Sequence, residues 1–205
     1  MRIFDLFIAF LLDFGIAAEK EVLRQRILQL RDNMDPADIR QKSFKITESI
    51  LSLPEYAKAD VVASYVNKAS EVETKPLIRK ALALRKKVLI PITQSKTREL
   101  LYSEISSLDN LIPGRFGIPE PRDVKTRALT TATLVLVPDV VWDIYGYRLG
   151  WGKGYFDTVL SHLSDSSLSI GLSFDLQLVE QVPREQFDLP VKMLVTESRV
   201  IRYNA

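Results

Sequence analysis

From Leu134 to Leu163 the chain runs from an apolar segment stopped by Pro138 into a loop and then into a segment with helical spacing; four of its eight glycines fall between Gly146 and Gly154. This order leaves few ways to fold. Leu134 to Val137 suits a buried strand that the proline terminates, while Tyr155 to Leu163 places Val159, Leu160 and Leu163 on one helical face. Glycines this close together continue neither element; they permit positive φ and let backbone approach a ligand with no Cβ in the way. Arg148 and Lys153 add two cations to the loop. Strand, basic glycine loop and helix start form the order in which unpaired N–H groups and the helix dipole hold a phosphate. The loop is not a Walker motif, because Tyr147 and Gly154 stand where Gly and Ser or Thr are required. The dinucleotide fingerprint fails as well, since Gly150, Gly152 and Gly154 are spaced two apart. Taken alone, the residues also suit a solvated turn, so the rest of the chain has to decide.

Upstream, Leu23, Ile27 and Leu30 recur at helical spacing within Glu19 to Leu30, with Lys20, Arg24 and Arg26 on the other face. Asp35 followed by Pro36 predicts an N-cap and a second helix reaching Leu53, which Pro54 ends. Asp60 to Val66 reads as a strand inside a sheet. After it, Glu71 and Glu73 lie where open α/β sheets put ligands, though they also suit a solvated loop leading into a helix from Lys75 to Leu84 capped by Thr74. Lys86 to Ile92 is a further strand and Leu100 to Ile105 an edge strand. The segment Pro113 to Pro121 is stiffened by three prolines and suits either a pocket wall or a connector. Leu168 to Ser173 forms a short strand, Leu176 to Glu180 a short helix or turn, and Met193 to Thr196 the last strand. Alternating strands and helices predict an α/β three-layer sandwich with a mainly parallel sheet.

With 205 residues the chain is long enough for one full core. Its 28 Lys and Arg balance 26 Asp and Glu, so it carries no broad basic face for nucleic acid, and any phosphate recognition must be local. The absence of cysteine excludes thiolate chemistry and disulfides. Met1 to Ala18 is an apolar N-terminal extension ahead of a single domain at 19–205. Its unbroken apolar run from Leu6 to Leu12 is too short to span a bilayer. Arg2 alone is a weak basic region for a secretory signal, so the extension reads as an additional helix on the body or a partner, or as a start codon placed too far upstream. The chain's single histidine, His162, reads as an exposed helix residue, which argues against a Ser/His/Asp hydrolase.

Read together, several motifs resemble the 5-formyltetrahydrofolate cyclo-ligase (methenyltetrahydrofolate synthetase) family over Lys20 to Glu197. They are Lys20 with Arg24, Glu71-Val-Glu-Thr, Phe116-Gly-Ile-Pro-Glu-Pro, and Val-Pro138 followed by Asp143. The longest is Arg148-Leu-Gly-Trp-Gly-Lys-Gly-Tyr155-Phe-Asp157, after which come Pro183 with Glu185 and Asp188, and Val195-Thr-Glu197. The resemblance implies a fold similar to that of ribose-phosphate isomerases and CoA transferases. It implies a cytoplasmic enzyme, monomeric or weakly dimeric, with no membrane span and no nucleic-acid partner. The activity implied is ATP- and Mg2+-dependent ring closure of 5-formyltetrahydrofolate, or a related pterin, to the 5,10-methenyl form, with release of ADP and phosphate. The alternative is a cyclo-ligase-like folate- or nucleotide-binding protein without that activity.

By the same resemblance, Lys20, Arg24, Arg148, Gly150, Gly152, Lys153 and Gly154 bind ATP, and Asp157 and Asp188 hold the metal. Val66, Glu71, Trp151 and Tyr155 face the folate substrate. The chain departs from the family pattern at Asp139 in place of glycine, Phe156 in place of tyrosine, Phe187 in place of histidine and Lys192 in place of aspartate.

Overall fold

The computed structural model describes residues 3–94, 99–129 and 133–203. In chain order, α1 (Ile3–Asp32), α2 (Pro36–Leu51) and α3 (Pro54–Lys58) precede β1 (Val61–Ala63), α4 (Lys75–Ala83), β2 (Lys87–Thr93) and β3 (Leu100–Ile105). Three short strands follow: β4 (Leu111–Pro113), β5 (Pro119–Pro121) and β6 (Thr126–Arg127). Next come β7 (Thr133–Pro138), β8 (Val141–Asp143), β9 (Arg148–Leu149) and α5 (Tyr155–Ser161). The chain closes with β10 (Leu168–Leu172), β11 (Leu178–Val179), β12 (Met193–Val195) and β13 (Val200–Arg202).

The central sheet has the order β13-β12-β10-β7-β1-β2-β3-β6. Its middle five strands, β12, β10, β7, β1 and β2, are mutually parallel, while β13 and β3 run antiparallel to their neighbours. Because side chains alternate along a strand, each of these strands feeds two cores. Leu134, Leu136, Val62, Val88, Ile90, Ile170 and Met193 point to one face, where Ile46 and Ile50 of α2 and Leu77, Ile78 and Ala81 of α4 cover them. Val135, Val137, Ala63, Leu89 and Leu194 point to the other, against Val159, Leu160 and Leu163 on or just after α5. Helices therefore lie on both faces of a mainly parallel sheet, as the sequence predicts. A third cluster seats α1, through Leu23, Ile27 and Leu28, on Val140, Val141, Leu149 and Val182.

Several boundaries move. Leu30 is exposed, and Leu28 and Arg31 are buried in its place, so the inward face of α1 is rotated from the expected stripe. The apolar extension is helical: α1 runs without a break from Ile3 through Ala18 to Asp32, and Met1 and Arg2 lie outside the described residues. Among the described residues no helix is long and apolar enough to cross a membrane. Asp35 caps α2 through Ala37 N–H as expected, but Pro54 opens α3 rather than only closing α2. The strand expected over Asp60 to Val66 pairs for three residues only. Thr74 stands at the N-cap of α4 as expected, but its side chain makes no capping bond; its hydroxyl donates instead to the Tyr65 carbonyl at 2.7 Å. β3 is not the edge, since β6 pairs beyond it, and β12 is not the last strand, since β13 follows. The proline-rich segment folds as the β4-β5 hairpin, tied to the end of β2 by Thr93 N–H to Glu120 at 3.2 Å.

Candidate active site

The carboxyl ends of β1, β7 and β10 open on the same side of the sheet, the position where parallel α/β sheets hold ligands. Past Pro138 the chain makes the small β11-β8-β9 sheet and emerges into the glycine loop. Gly152 and Gly154 have φ of +71° and +70°, and a side chain at either would be strained. Among the described residues, no carbonyl or side chain accepts a hydrogen bond from the backbone N–H groups of 151–154. Backbone donors without a partner in the chain are what an anion requires. α5 is only seven residues long, so its dipole adds little and the loop amides carry that role.

The amino-terminal helix closes one side of this loop. Arg24 Nε donates to the Gly150 carbonyl at 2.7 Å, and Arg24 also pairs with Glu21. One turn earlier, Lys20 pairs with Glu185 and lies 3.5 Å from Asp188, so successive turns of α1 clip the glycine loop and the 185–188 turn side by side. Lys153 is exposed and forms no ion pair among the described residues. Trp151 is 61% exposed and Phe187 71%, so both rings present most of their surface to solvent. Tyr155 is half-buried at the start of α5.

Arg148 sits beneath the loop rather than on it, with a side chain only 3% exposed. Its Nε pairs with Asp139 Oδ2 at 3.0 Å, one terminal nitrogen donates to the Leu189 carbonyl at 2.7 Å, and the other pairs with Asp157. Its charge is therefore turned toward the carboxylates and not toward the loop surface. Asp157 lies close enough to Asp188 and Lys20 to feel both charges. Burial, together with Asp188, pushes the Asp157 carboxyl above its usual range, against the pull of Arg148 and Lys20. Burial pushes Asp139 up to about 7, opposed chiefly by Arg148.

On the β1 side, Glu71 Oε2 accepts from Lys68 N–H at 2.8 Å, and burial raises its pKa despite that bond and the Arg31 charge. Arg31 joins the two halves: its Nε reaches Ser70 Oγ at 3.1 Å and one terminal nitrogen reaches the Asp139 carbonyl at 3.3 Å. Val66 is fully covered in the core, beneath this surface. A continuous run of contacts thus passes from Ser70 through Arg31 and Asp139 to Arg148, which reaches Asp157 on one side and the Leu189 carbonyl, just after the 185–188 turn, on the other.

Sequence reasoning missed Arg31, Asp143 and Arg184. Asp143 is wholly buried: Oδ1 accepts from Tyr145 and Tyr147 N–H, and Oδ2 from Val182 N–H and Arg184. Arg184 in turn stacks on Tyr147, 3.9 Å from its ring centre. Asp143 stood in the resembling pattern without a role, and Arg31 lay beyond the apolar stripe assigned to its helix. Lys192, one of the departures, donates to the Ser167 carbonyl at 2.9 Å and holds the turn before β10. His162 is exposed, as expected.

The site offers a metal two neighbouring carboxylates, Asp157 and Asp188; among the described residues no group of three ligating side chains gathers. That donor set fits Mg2+, which takes one or two carboxylates and fills its shell with phosphate oxygens and water.

Residues 16–197 match the model of the 5-formyltetrahydrofolate cyclo-ligase family. The chain is 29% identical over 178 residues to the 5-formyltetrahydrofolate cyclo-ligase of Escherichia coli K12, covering 85% of this chain and 98% of that protein. It is also 29% identical to the Haemophilus influenzae protein of the same name, over 84% and 95% of the two chains. Among solved structures, the 5,10-methenyltetrahydrofolate synthetase of Aquifex aeolicus superposes with a TM-score of 0.79 at 34% identity, covering 91% of this chain and 93% of that one. A Mycoplasma pneumoniae synthetase superposes at 0.71 and 20% identity, over 87% and 99%, a likeness of fold.

Proposed function

The chain belongs to the 5-formyltetrahydrofolate cyclo-ligase family, and from that premise we propose that it closes 5-formyltetrahydrofolate, or a closely related pterin, to the 5,10-methenyl form with cleavage of ATP to ADP and phosphate. The formyl oxygen attacks the γ-phosphorus and ADP departs, which activates the formyl carbon as a phosphorylated imidate. N10 then attacks that carbon, and phosphate leaves with the oxygen. Phosphoryl transfer of this kind needs alignment and charge neutralisation more than a protein nucleophile, and the site supplies those.

The observation that carries the reading is the meeting of three groups on one surface: the unpartnered amides of the glycine loop, the cations Lys20 and Arg24 from α1, and the Asp157–Asp188 pair. In this reading Gly150, Gly152, Lys153 and Gly154 receive the phosphates, with Lys20 and Arg24 flanking them. Arg148 serves the phosphate site indirectly, by holding Asp157. Bound at Asp157 and Asp188, Mg2+ would offset the charge of the phosphate oxygens. Glu71 orients the pterin, Trp151 and Tyr155 contact the substrate, and Val66 forms the floor under it.

Turnover of 5-formyltetrahydrofolate, ATP and Mg2+ followed by the absorbance of the methenyl product tests the proposal. Binding of both substrates without that absorbance change would favour a folate-binding role instead. Lys153→Ala removes an exposed cation, so it is expected to lower kcat/KM for ATP by about a hundredfold while leaving the thermal midpoint within error. Near-normal kinetics in that variant would remove Lys153 from the phosphate site.

A further inference from the structure

Asp139 has no part in the reading above, yet it occupies the junction of the site. It follows β7 directly, and its carbonyl is pinned by Arg31 at 3.3 Å and by Gln177 Nε2 at 3.0 Å. Its Oδ1 accepts from the Val140 N–H at 3.2 Å, and its Oδ2 meets Arg148 Nε at 3.0 Å, where both side chains are nearly free of solvent. A Cβ at Gly150 would stand 2.4 Å from Asp139 Oδ1, so the carboxylate fills the space which that glycine leaves. A guanidinium is planar and its donors diverge in a fixed fork, so holding Nε fixes where the two terminal nitrogens point. Here they point to Asp157 and to the carbonyl of Leu189, the residue after Asp188.

We propose that Asp139 is a positioning residue for the metal carboxylates: by locking Arg148 it sets Asp157 and the chain at Leu189 in register with one another, so that Asp157 and Asp188 face a single cation. The inference rests on the nucleotide and metal reading of the site. Asp139 touches neither nucleotide nor metal; it acts through Arg148 on both halves of the donor pair. Partners that orient ligating groups at one remove are worth about ten- to a hundredfold in metal affinity.

The test is calorimetric titration of ADP into wild type and Asp139→Asn across a Mg2+ series and in EDTA. The Mg2+ concentration giving half of the metal-dependent gain in ADP affinity is expected to rise about tenfold in the variant, with ADP affinity in EDTA unchanged. A role confined to folding would lower the fraction of binding-competent protein without moving that midpoint, and such a result overturns the proposal. So does tighter ADP binding with and without Mg2+, which would mean that Asp139 withholds Arg148 from phosphate. If Asp139→Asn fails to fold, Asp139→Glu keeps the charge but moves the carboxylate off its place against Arg148 Nε, and the same rise in midpoint is expected. An unmoved midpoint in whichever variant folds overturns the role of Asp139 alone. Absence of any Mg2+-dependent binding by wild type overturns it together with the nucleotide reading.

Discussion

Asp157→Asn is expected to lower turnover by about two to three orders of magnitude while the protein stays folded. The carboxylate has two uses in one place. One oxygen pairs with Arg148, and the group as a whole lies within the field of Asp188 and Lys20, where the proposed metal-nucleotide would bind. An amide keeps the shape and can still accept from Arg148, whose Asp139 and Leu189 partners are untouched, so the thermal midpoint should fall by only a few degrees. The charge is what disappears, and with it half of a two-carboxylate donor set. The loss should therefore appear in kcat and in the Mg2+ requirement, and least in the KM for the pterin. In the unliganded protein burial and Asp188 hold the Asp157 carboxyl above its usual range, so the acid limb of the wild-type kcat/KM profile for the metal-nucleotide, which reports the free enzyme, should lie above the pH at which an exposed aspartate titrates. Retention of most of the wild-type kcat in Asp157→Asn would show that the catalytic carboxylate lies elsewhere.

How much of this was readable in the sequence follows from where the signals come from. β7, the glycine loop and α5 were legible because each is announced by local chemistry: an apolar run ended by Pro138, glycines at positive φ, and Val159, Leu160 and Leu163 on one face. β8, β9 and β11 were not, because two or three residues carry no period, and what holds Trp142 and Asp143 in place is pairing with Leu178, Val179 and Arg148 far along the chain. Arg31 shows the same limit from the other side. An arginine at helical spacing reads as solvated surface, and only the fold brings Ser70 and the Asp139 carbonyl within its reach. For the same reason the sequence named Arg148 as a basic residue of the loop but left its orientation open, since Asp139, Leu189 and Asp157 converge on it from three separate segments.

Asp143 is the position where the fold should be most vulnerable, and Asp143→Ala is expected to cost about 3–5 kcal/mol of stability, because it leaves the part-buried Arg184 guanidinium and the N–H groups of Tyr145, Tyr147 and Val182 without their acceptor. Its Oδ1 holds Tyr145 N–H at 2.9 Å and Tyr147 N–H at 3.0 Å, which forms the turn ahead of β9. Its Oδ2 holds Val182 N–H at 3.2 Å and Arg184 at 2.8 Å, which anchors the start of the segment that carries Glu185, Asp188 and Leu189. One carboxylate therefore ties the base of the glycine loop to the base of the turn bearing Asp188. For a chain of this length the loss corresponds to a fall of about 10 °C or more in the thermal midpoint. Asp143→Asn keeps one acceptor oxygen and should lose less than alanine, with the difference falling on the side facing Arg184. Activity measured well below the melting range should also fall in Asp143→Ala, because Asp188 is no longer held opposite Asp157, and raised Mg2+ should recover part of it. A loss of under about 1 kcal/mol would mean that Arg184 finds another acceptor and that the two turns are held by packing alone.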